Sequence, residues 1–486
     1  MLYLLLGALG VLSFFAFVTR WQILLWGLVC FIPFAGMLIL WSQQNALFLL
    51  AKDILFVLPL LLAVFLLRPQ VLQRAPIPPW LTLTLIFLAL VVVLQCLNPG
   101  VVNTAMALIG IKVWLLYIPL AYIVAGMLET RHNVVALLRV ILVVAPIPCL
   151  FGLAQWGLSE SIGYRQVMFD LYGESARSAT QNFAQFDLGG TIRRIPSTFT
   201  NAASYFVYTL VASAAALALQ GMDPKRGWRI FARAVLVLAF FAALLSGMRA
   251  AFVFTPLLIL IYSMLSGRLG GAFNGVLLVG VLAGGFTYIT GFDVDRMVEG
   301  VSEHSERYQA SEFAWVQFSY ALEWSPLGQG TGTNTVSARY GLDGVQQSGA
   351  AVSLGSFEVQ YAKVVHELGI FGLVPFVLIV GGLSWHVLVG TLHMRDRALR
   401  RAHAAIGAFV MIIFLYFFKA WVIDVDPGNV FFWIFVGLLY RLSALDGVTA
   451  GAPVPQRLGP HARVAYGRAR LAPRLGRQHP SQGWLD

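Results

Sequence analysis

Repeated apolar runs constrain this chain more than any other feature of its sequence. About thirteen of them are long enough to cross roughly 30 Å of hydrocarbon as helices. They lie near 2–18, 21–40, 47–67, 80–97, 105–127, 134–154, 202–220, 231–246, 250–265, 272–291, 357–390, 403–423 and 429–447. The run over 231–265 is too long for one crossing, so we place a break at 246–249. The pattern predicts an all-α, polytopic integral membrane protein.

The composition agrees with lipid as the main solvent of this chain. Charged residues are 11% of the sequence, whereas a soluble domain carries about a quarter. Cys30, Cys96 and Cys149 lie inside apolar runs and are typical of small core residues rather than a disulfide framework. No cluster of Cys and His has zinc spacing, so we expect no metal and no cofactor.

The basic residues indicate the orientation of the chain. They concentrate in every second connection, whereas the short connections 41–46, 98–104 and 424–428 contain neither Lys nor Arg. By the positive-inside rule the basic connections are cytoplasmic, the N-terminus is outside and the C-terminus is inside. The net charge of +11 is therefore mostly an orientation signal, and we expect no nucleic-acid partner. The basic set comprises Arg20, Arg68, Arg74, Arg131, Lys225, Arg226, Arg229, Arg268, Arg395, Arg397, Arg400 and Arg401.

The sequence divides into a membrane domain, 1–447, and a basic tail, 448–486, whose composition predicts disorder. Two long connections, 155–201 and 292–356, fall on the outer side. The second is predicted to hold a helix near 305–324 and then a glycine-rich segment, which we interpret as a mobile loop that gates acceptor entry. A membrane protein with short inner loops and two large outer loops is typical of a function at the outer face of the membrane.

Ionisable residues within the apolar runs gather in their outer halves. Taken singly, each has an ordinary explanation, since lysines snorkel and an i,i+4 pair neutralises itself. Together they indicate a cationic pocket that opens outward and suits an anionic head group. The set is Lys52, Asp53, Lys112, Lys363, His366, Glu367 and Lys419.

Four outer segments carry a family resemblance. In order, they are R-R-I-P-S-T-F-T-N at 193–201, S-G-M-R-A-A at 246–251, W-S-P-L-G-Q-G-T-G at 324–332 after Arg307, and H-E-L-G-I-F-G-L at 366–373. This order resembles the O-antigen ligase and O-antigen polymerase superfamily over about residues 190–380. In the N-terminal spans, the segment that begins at Lys52-Asp53 is a weaker match to the same superfamily.

The resemblance implies a C-type glycosyltransferase fold with two large periplasmic loops, in the bacterial inner membrane. It implies a metal-independent, inverting enzyme that polymerises undecaprenyl-diphosphate-linked oligosaccharide into exopolysaccharide or O-antigen. The donor and acceptor are both lipid-linked glycans, and the flippase and chain-length regulator of the pathway are possible partners. The planar guanidinium of arginine binds phosphate oxygens through bidentate hydrogen bonds and stabilises the negative charge on a departing diphosphate. The expected diphosphate ligands are Arg193, Arg194, Arg249 and Arg307, helped by Lys52 and Lys112.

One departure from the superfamily leaves alternatives open. Ligases carry a His-Asn pair ahead of the E-L-G element, whereas this chain has Glu358-Val359 there. The Glu358 carboxylate is a candidate general base, and His366 is a more distant one. The difference favours a polymerase over transfer to lipid A core or protein. A lipid-linked-sugar transporter or flippase is the alternative from another class. Trp315 and Trp324 could stack on sugars or form an interfacial belt.

Overall fold

The computed structural model describes residues 2–187, 191–267, 280, 314–335 and 357–451, and these parts are mostly helical. One compact unit comprises Met1–Asp446, and a second comprises Gly447–Asp486, whose described residues end the last helix. The predicted span at 272–291 and the predicted ligand Arg307 lie outside the described residues, apart from residue 280.

The described elements follow one another in a simple order. The helices are α1 (Leu2–Thr19), α2 (Gln22–Trp41), α3 (Ala46–Leu49), α4 (Leu58–Leu62), α5 (Gln70–Gln73), α6 (Pro79–Gln95), α7 (Thr104–Leu115), α8 (Pro119–Met127), α9 (Arg131–Val144), α10 (Pro146–Leu158), α11 (Tyr164–Tyr172), α12 (Ala176–Ala179), α13 (Ala202–Met222), α14 (Arg226–Leu245), α15 (Arg249–Leu265), α16 (Ala314–Trp324), α17 (Gln360–His393), α18 (Arg397–Tyr416) and α19 (Gly428–Gly451). Strands β1 (Gln185–Asp187) and β2 (Thr191–Arg193) pair antiparallel.

Eight described helices are long and apolar enough to cross a membrane, which confirms a helical membrane protein. Three shorter apolar helices accompany them, at Asp53–Leu67, Pro79–Gln95 and Arg249–Leu265. The total of thirteen spans stays a prediction. The eight are Gln22–Trp41, Thr104–Met127, Arg131–Ala179, Ala202–Met222, Arg226–Leu245, Gln360–His393, Arg397–Tyr416 and Gly428–Gly447. Of these, Thr104–Met127 joins α7 and α8, and Arg131–Ala179 joins α9 to α12.

Proline changes the form of several predicted spans. The run at 47–67 is not one α-helix: two π-helices, Asp53–Val57 and Ala63–Leu67, flank α4, which contains Pro59. Proline has no N–H to donate and crowds the preceding turn, so the α-helical ladder is interrupted there. Pro119 and Pro146 similarly open α8 and α10 after a break. Polar backbone freed by such breaks is tolerated where it is buried in protein.

Helix α13 lies at the centre of the bundle, with nearly every side chain buried. It packs against α9, α14 and α18. Its run of small residues, Ala212 to Ala216, lets neighbouring backbones approach closely, as is typical of helix interfaces in membranes. Gly437 of α19 makes a comparable close approach, because a Cβ there would lie 2.4 Å from the Ala121 carbonyl oxygen. The core therefore depends on small side chains as much as on large ones.

The basic connections meet at one end of the bundle. Arg131 of α9 donates to the Met222 carbonyl at 3.0 Å and lies 3.4 Å from Asp396. Arg139 binds Asp223 at 2.7 Å through its Nε. Burial raises the pKa of Asp223, but the hydrogen bonds from Arg139 and the Lys225 amide, together with the positive charges of both residues, hold that pKa below its usual range. Helices α14 and α18 both start at this end of the bundle. Arg249, which follows the end of α14, and Tyr416, at the end of α18, therefore lie towards the opposite end.

Candidate functional site

A cavity of about 850 Å³ lies at the end of the bundle opposite those basic connections. Its walls come from the segment after β2, the starts of α13 and α15, one flank of α16, and the end of α18 with the segment that follows. Among the described residues, three cations, two carboxylates and several aromatic side chains line it, a composition suited to a ligand with anionic and apolar parts. The polar lining residues are Gln181, Arg194, Asn201, Ser204, Arg249, Gln317, Tyr320, Glu358, Tyr416, Lys419 and Asp426.

The turn between α14 and α15 brings two of the predicted arginines together. Gly247 has a φ of +73°, and a Cβ at this position would lie 2.1 Å from the Arg193 carbonyl oxygen. The Ile195 amide donates to the Ser246 carbonyl at 3.1 Å. The turn therefore packs directly on the backbone beside Arg194, two residues from Arg249. Both arginines then line the same cavity.

We expect Gly247→Ala to destabilise the protein by at least about 1–2 kcal/mol, because an alanine is strained at positive φ. The added methyl also overlaps the Arg193 carbonyl, so the arginines move apart. Thermal unfolding of the purified variant measures the effect, with Gly227→Ala as control, since a Cβ there meets nothing within 4 Å. Equal losses in both variants would contradict this role of the turn.

The Arg193–Arg194 pair divides its two side chains between different tasks. Arg193 lies 2.8 Å from the Glu160 carboxylate and donates to the Ser159 carbonyl at 2.9 Å. It is not among the cavity's described lining residues. Arg194 lines the cavity and contacts the Met248 sulfur at 3.0 Å. Of the two, Arg194 is placed to bind a ligand and Arg193 to anchor the loop.

The first turn of α13 contributes further groups that our sequence reasoning missed. Asn201 caps the helix, its side-chain oxygen accepting from the Ser204 amide at 2.9 Å. The Ser204 hydroxyl is buried, lines the cavity and has no hydrogen-bond partner within the described part of the chain. The start of α15 reaches the same cavity through Arg249 and Ala250. Two helix N-termini thus add their partial positive charge to the arginines, which favours an anion.

Two carboxylates face this cationic wall. Glu358 is exposed in the cavity, and its backbone N–H is held by the Gln317 side chain at 3.0 Å. Asp426 also lines the cavity and lies 3.4 Å from the Lys52 ammonium. Asp426 was not among the site residues predicted from the sequence. The cavity therefore holds a candidate base, Glu358, and a second carboxylate that is already engaged by a buried lysine.

Lys52 and Lys112, predicted as diphosphate ligands, lie in a buried charge network behind this wall. Lys52 is 2.8 Å from Asp53 and also contacts the Tyr117 hydroxyl. Lys112 is 2.6 Å from the other oxygen of Asp53. Neither lysine is among the described residues that line the cavity. Their contact with the site is indirect, through the Lys52–Asp426 pair.

The glycine-rich segment docks on the bundle where it is described, over 325–335, instead of forming the mobile loop that we predicted. The Gln329 and Gly330 amides donate to the carbonyls of His366 and Glu367, and the Ile370 amide donates back to Pro326. Helix α17 is broken at Gly369, whose φ is +66°, so its freed backbone groups pair with the segment. The remainder of the loop that we predicted over 328–355 lies outside the described residues.

A second set of buried charges secures the docked segment. The Glu367 carboxylate accepts from the Trp114 indole at 2.6 Å and from the Asn334 amide at 2.9 Å. Lys363 is 3.8 Å from Glu367, but it also contacts Asp424 directly. The predicted i,i+4 pair is thus part of a larger network. His366 bonds to Ser325 at 3.2 Å, which gives it a structural contact instead of a place among the cavity's lining residues.

The aromatic residues of α16 split between two surroundings. Tyr320 lines the cavity and stacks on Trp324, with ring centroids 5.2 Å apart. Trp315 and Trp324 are 73% and 70% exposed, so both predicted roles, sugar stacking and an interfacial belt, stay predictions.

Within the described ranges, no group of three or more His, Cys, Asp or Glu side chains could hold a metal ion. In comparisons with known proteins, no family model and no curated protein matches the chain.

Proposed function

We propose that this chain is a membrane glycosyltransferase that polymerises undecaprenyl-diphosphate-linked oligosaccharide on the periplasmic face of the bacterial inner membrane. One observation carries the proposal. Arg194 and Arg249, from two separate motifs, line one cavity together with Glu358. A cavity of about 850 Å³ has room for a diphosphate with adjoining sugars, since sites for drug-sized ligands measure roughly 300–1,000 Å³.

The proposed reaction is a single displacement with inversion. The acceptor hydroxyl oxygen attacks the anomeric carbon, and the bond from that carbon to the phosphate oxygen breaks. The electron pair leaves with undecaprenyl diphosphate, whose growing charge Arg194, Arg249 and the two helix N-termini stabilise. The hydroxyl proton passes to the Glu358 carboxylate. The superfamily resemblance of the four motifs supports the same reaction class.

The test supplies the purified protein, in lipid nanodiscs, with a defined undecaprenyl-diphosphate oligosaccharide. A ladder of lengthened products supports a polymerase. Transfer to an added lipid A core instead supports a ligase and corrects the acceptor. In a parallel assay with the protein in sealed vesicles, movement of intact donor across the membrane without any new glycosidic bond would overturn the glycosyltransferase proposal in favour of transport.

We expect Glu358→Gln to slow chain extension by about 10²-fold or more, because the amide cannot accept the hydroxyl proton. Initial rates of ladder formation measure this. Glu323→Gln is the matched control, since Glu323 also belongs to the outer segments and is not among the cavity's described lining residues. Unchanged rates for Glu358→Gln would remove Glu358 from the mechanism and leave Asp426 as the candidate base.

A further inference from the structure

A second cavity lies at the opposite end of α14 from Arg249. It has a volume of about 340 Å³, and its lining residues within the described part of the chain are Arg226, Arg229, Ile230 and Arg233. Because α14 has 20 residues, its two ends are about 30 Å apart. This cavity is therefore separate from the candidate catalytic site, about one bilayer thickness away.

The lining residues form a single stripe along the helix. Spacings of three, four and seven residues bring Arg226, Arg229, Ile230 and Arg233 onto one face. Val237, a further turn along, continues the same stripe. The opposite face of α14 packs into the bundle and includes Ala232, Val235, Ala239 and Ala243. The stripe thus faces outward from the described core, where lipid surrounds a membrane helix.

These arginines differ from three others at the same end of the bundle, which are paired with carboxylates: Arg74, Arg131 and Arg139. For Arg226, Arg229 and Arg233, in the part of the chain that the structure describes, no side-chain hydrogen bond or ion pair is formed. Arg233 also lies about 10 Å along the helix from Arg226. An uncompensated guanidinium that far into a lipid-facing helix is costly, and an anion that accompanies it removes the cost.

We infer that this stripe binds the head group of an anionic phospholipid, with a preference for a head group of two phosphates. Guanidinium groups clasp phosphate oxygens in bidentate geometry, and basic pockets on membrane helices bind such lipids. Three cations spread over about 10 Å match two phosphates better than one. Ile230 and Val237, which are 53% and 39% exposed, lie on the same stripe and suit the acyl chains rather than a free phosphate ion.

Native mass spectrometry of the purified full-length protein tests this inference. The probes are diphosphatidylglycerol, phosphatidylglycerol and phosphatidylcholine, each at the same molar excess. The wild type should retain diphosphatidylglycerol best, and Arg226→Gln/Arg229→Gln/Arg233→Gln should lower its retention by at least about tenfold. Arg68→Gln/Arg395→Gln/Arg397→Gln removes three exposed arginines elsewhere and should retain the lipid. Arg229→Gln alone should give a smaller loss and serves if the triple variant does not fold.

Equal retention of lipid by wild type and the stripe variant would overturn the inference. So would displacement of the lipid by an equimolar amount of inorganic pyrophosphate, because the site would then bind a free anion without using the acyl chains. Equal retention of phosphatidylcholine would show a general lipid contact and reject the anionic site. Each result is independent of glycosyl transfer, so failure here leaves the proposed function unaffected.

Discussion

Arg249→Ala is expected to lower the rate of chain extension by about 10²–10³-fold, the usual cost of removing one preorganised donor from a site that stabilises developing charge. The reason is its position. Arg249 opens α15 and lines the cavity beside Arg194, where the departing diphosphate needs a fixed positive charge. Arg249→Lys should recover part of the rate, because it keeps the charge and loses the planar fork.

Initial rates of ladder formation by purified variants measure this effect. Arg165→Ala is the control, since it removes an exposed arginine from the long connection 155–201 that is outside the described lining of the cavity. Elution profile and thermal unfolding show that each variant folds. Polymer of normal length at a normal rate in Arg249→Ala would exclude the proposed site. The same expectation holds from the sequence for Arg307→Ala.

Lys52→Met is expected to destabilise the protein by about 1–3 kcal/mol, the usual cost of leaving a largely buried polar group without its partner. Lys52 and Asp53 are both 3% exposed. Asp53 keeps Lys112 at 2.6 Å in the variant, but Asp426 loses its lysine. The expected result is therefore a lower unfolding temperature, measured in nanodiscs, and a displaced cavity wall.

The double variant Lys52→Met/Asp426→Asn separates this explanation from a packing defect. It leaves the Asp53–Lys112 pair neutral as a whole and removes the orphaned carboxylate. We expect it to be more stable than Lys52→Met alone, with a coupling energy between the two positions. Additive losses would mean that the Lys52–Asp426 contact contributes nothing, and the network would then have no part in holding the wall.

Much of the fold follows from patterns that are local in the sequence. Apolar length predicts the membrane helices, and the Ser246–Arg249 break is confirmed where α14 ends at Leu245 and α15 begins at Arg249. Gly247 carried that signal, because a polar turn with glycine interrupts an apolar run. The helices at 47–67 were predicted less well, since two π-helices beside Pro59 have no pattern in hydrophobicity alone.

The candidate site was predictable where a residue type restricts the chemistry, and not where a contact joins distant segments. Arg194, Arg249 and Glu358 lie together as the motifs suggested. The Lys52–Asp426 pair and the docking of 325–335 against α17 join residues far apart in the chain. A lysine in an apolar run shows that a partner is needed but not which one. The Ser204 hydroxyl gave no signal at all.

The Lys52–Asp426 contact also has an evolutionary consequence. A salt bridge across most of the chain's length makes each of its two positions depend on the other's charge. Sequences descended from a common ancestor should therefore keep this lysine and this aspartate together, exchange their charges together, or lose both to neutral residues. Substitution at one position alone should be rarer than chance. Paired variation between these two positions, in the first and last thirds of the chain, would then indicate that the Lys52–Asp426 contact is maintained.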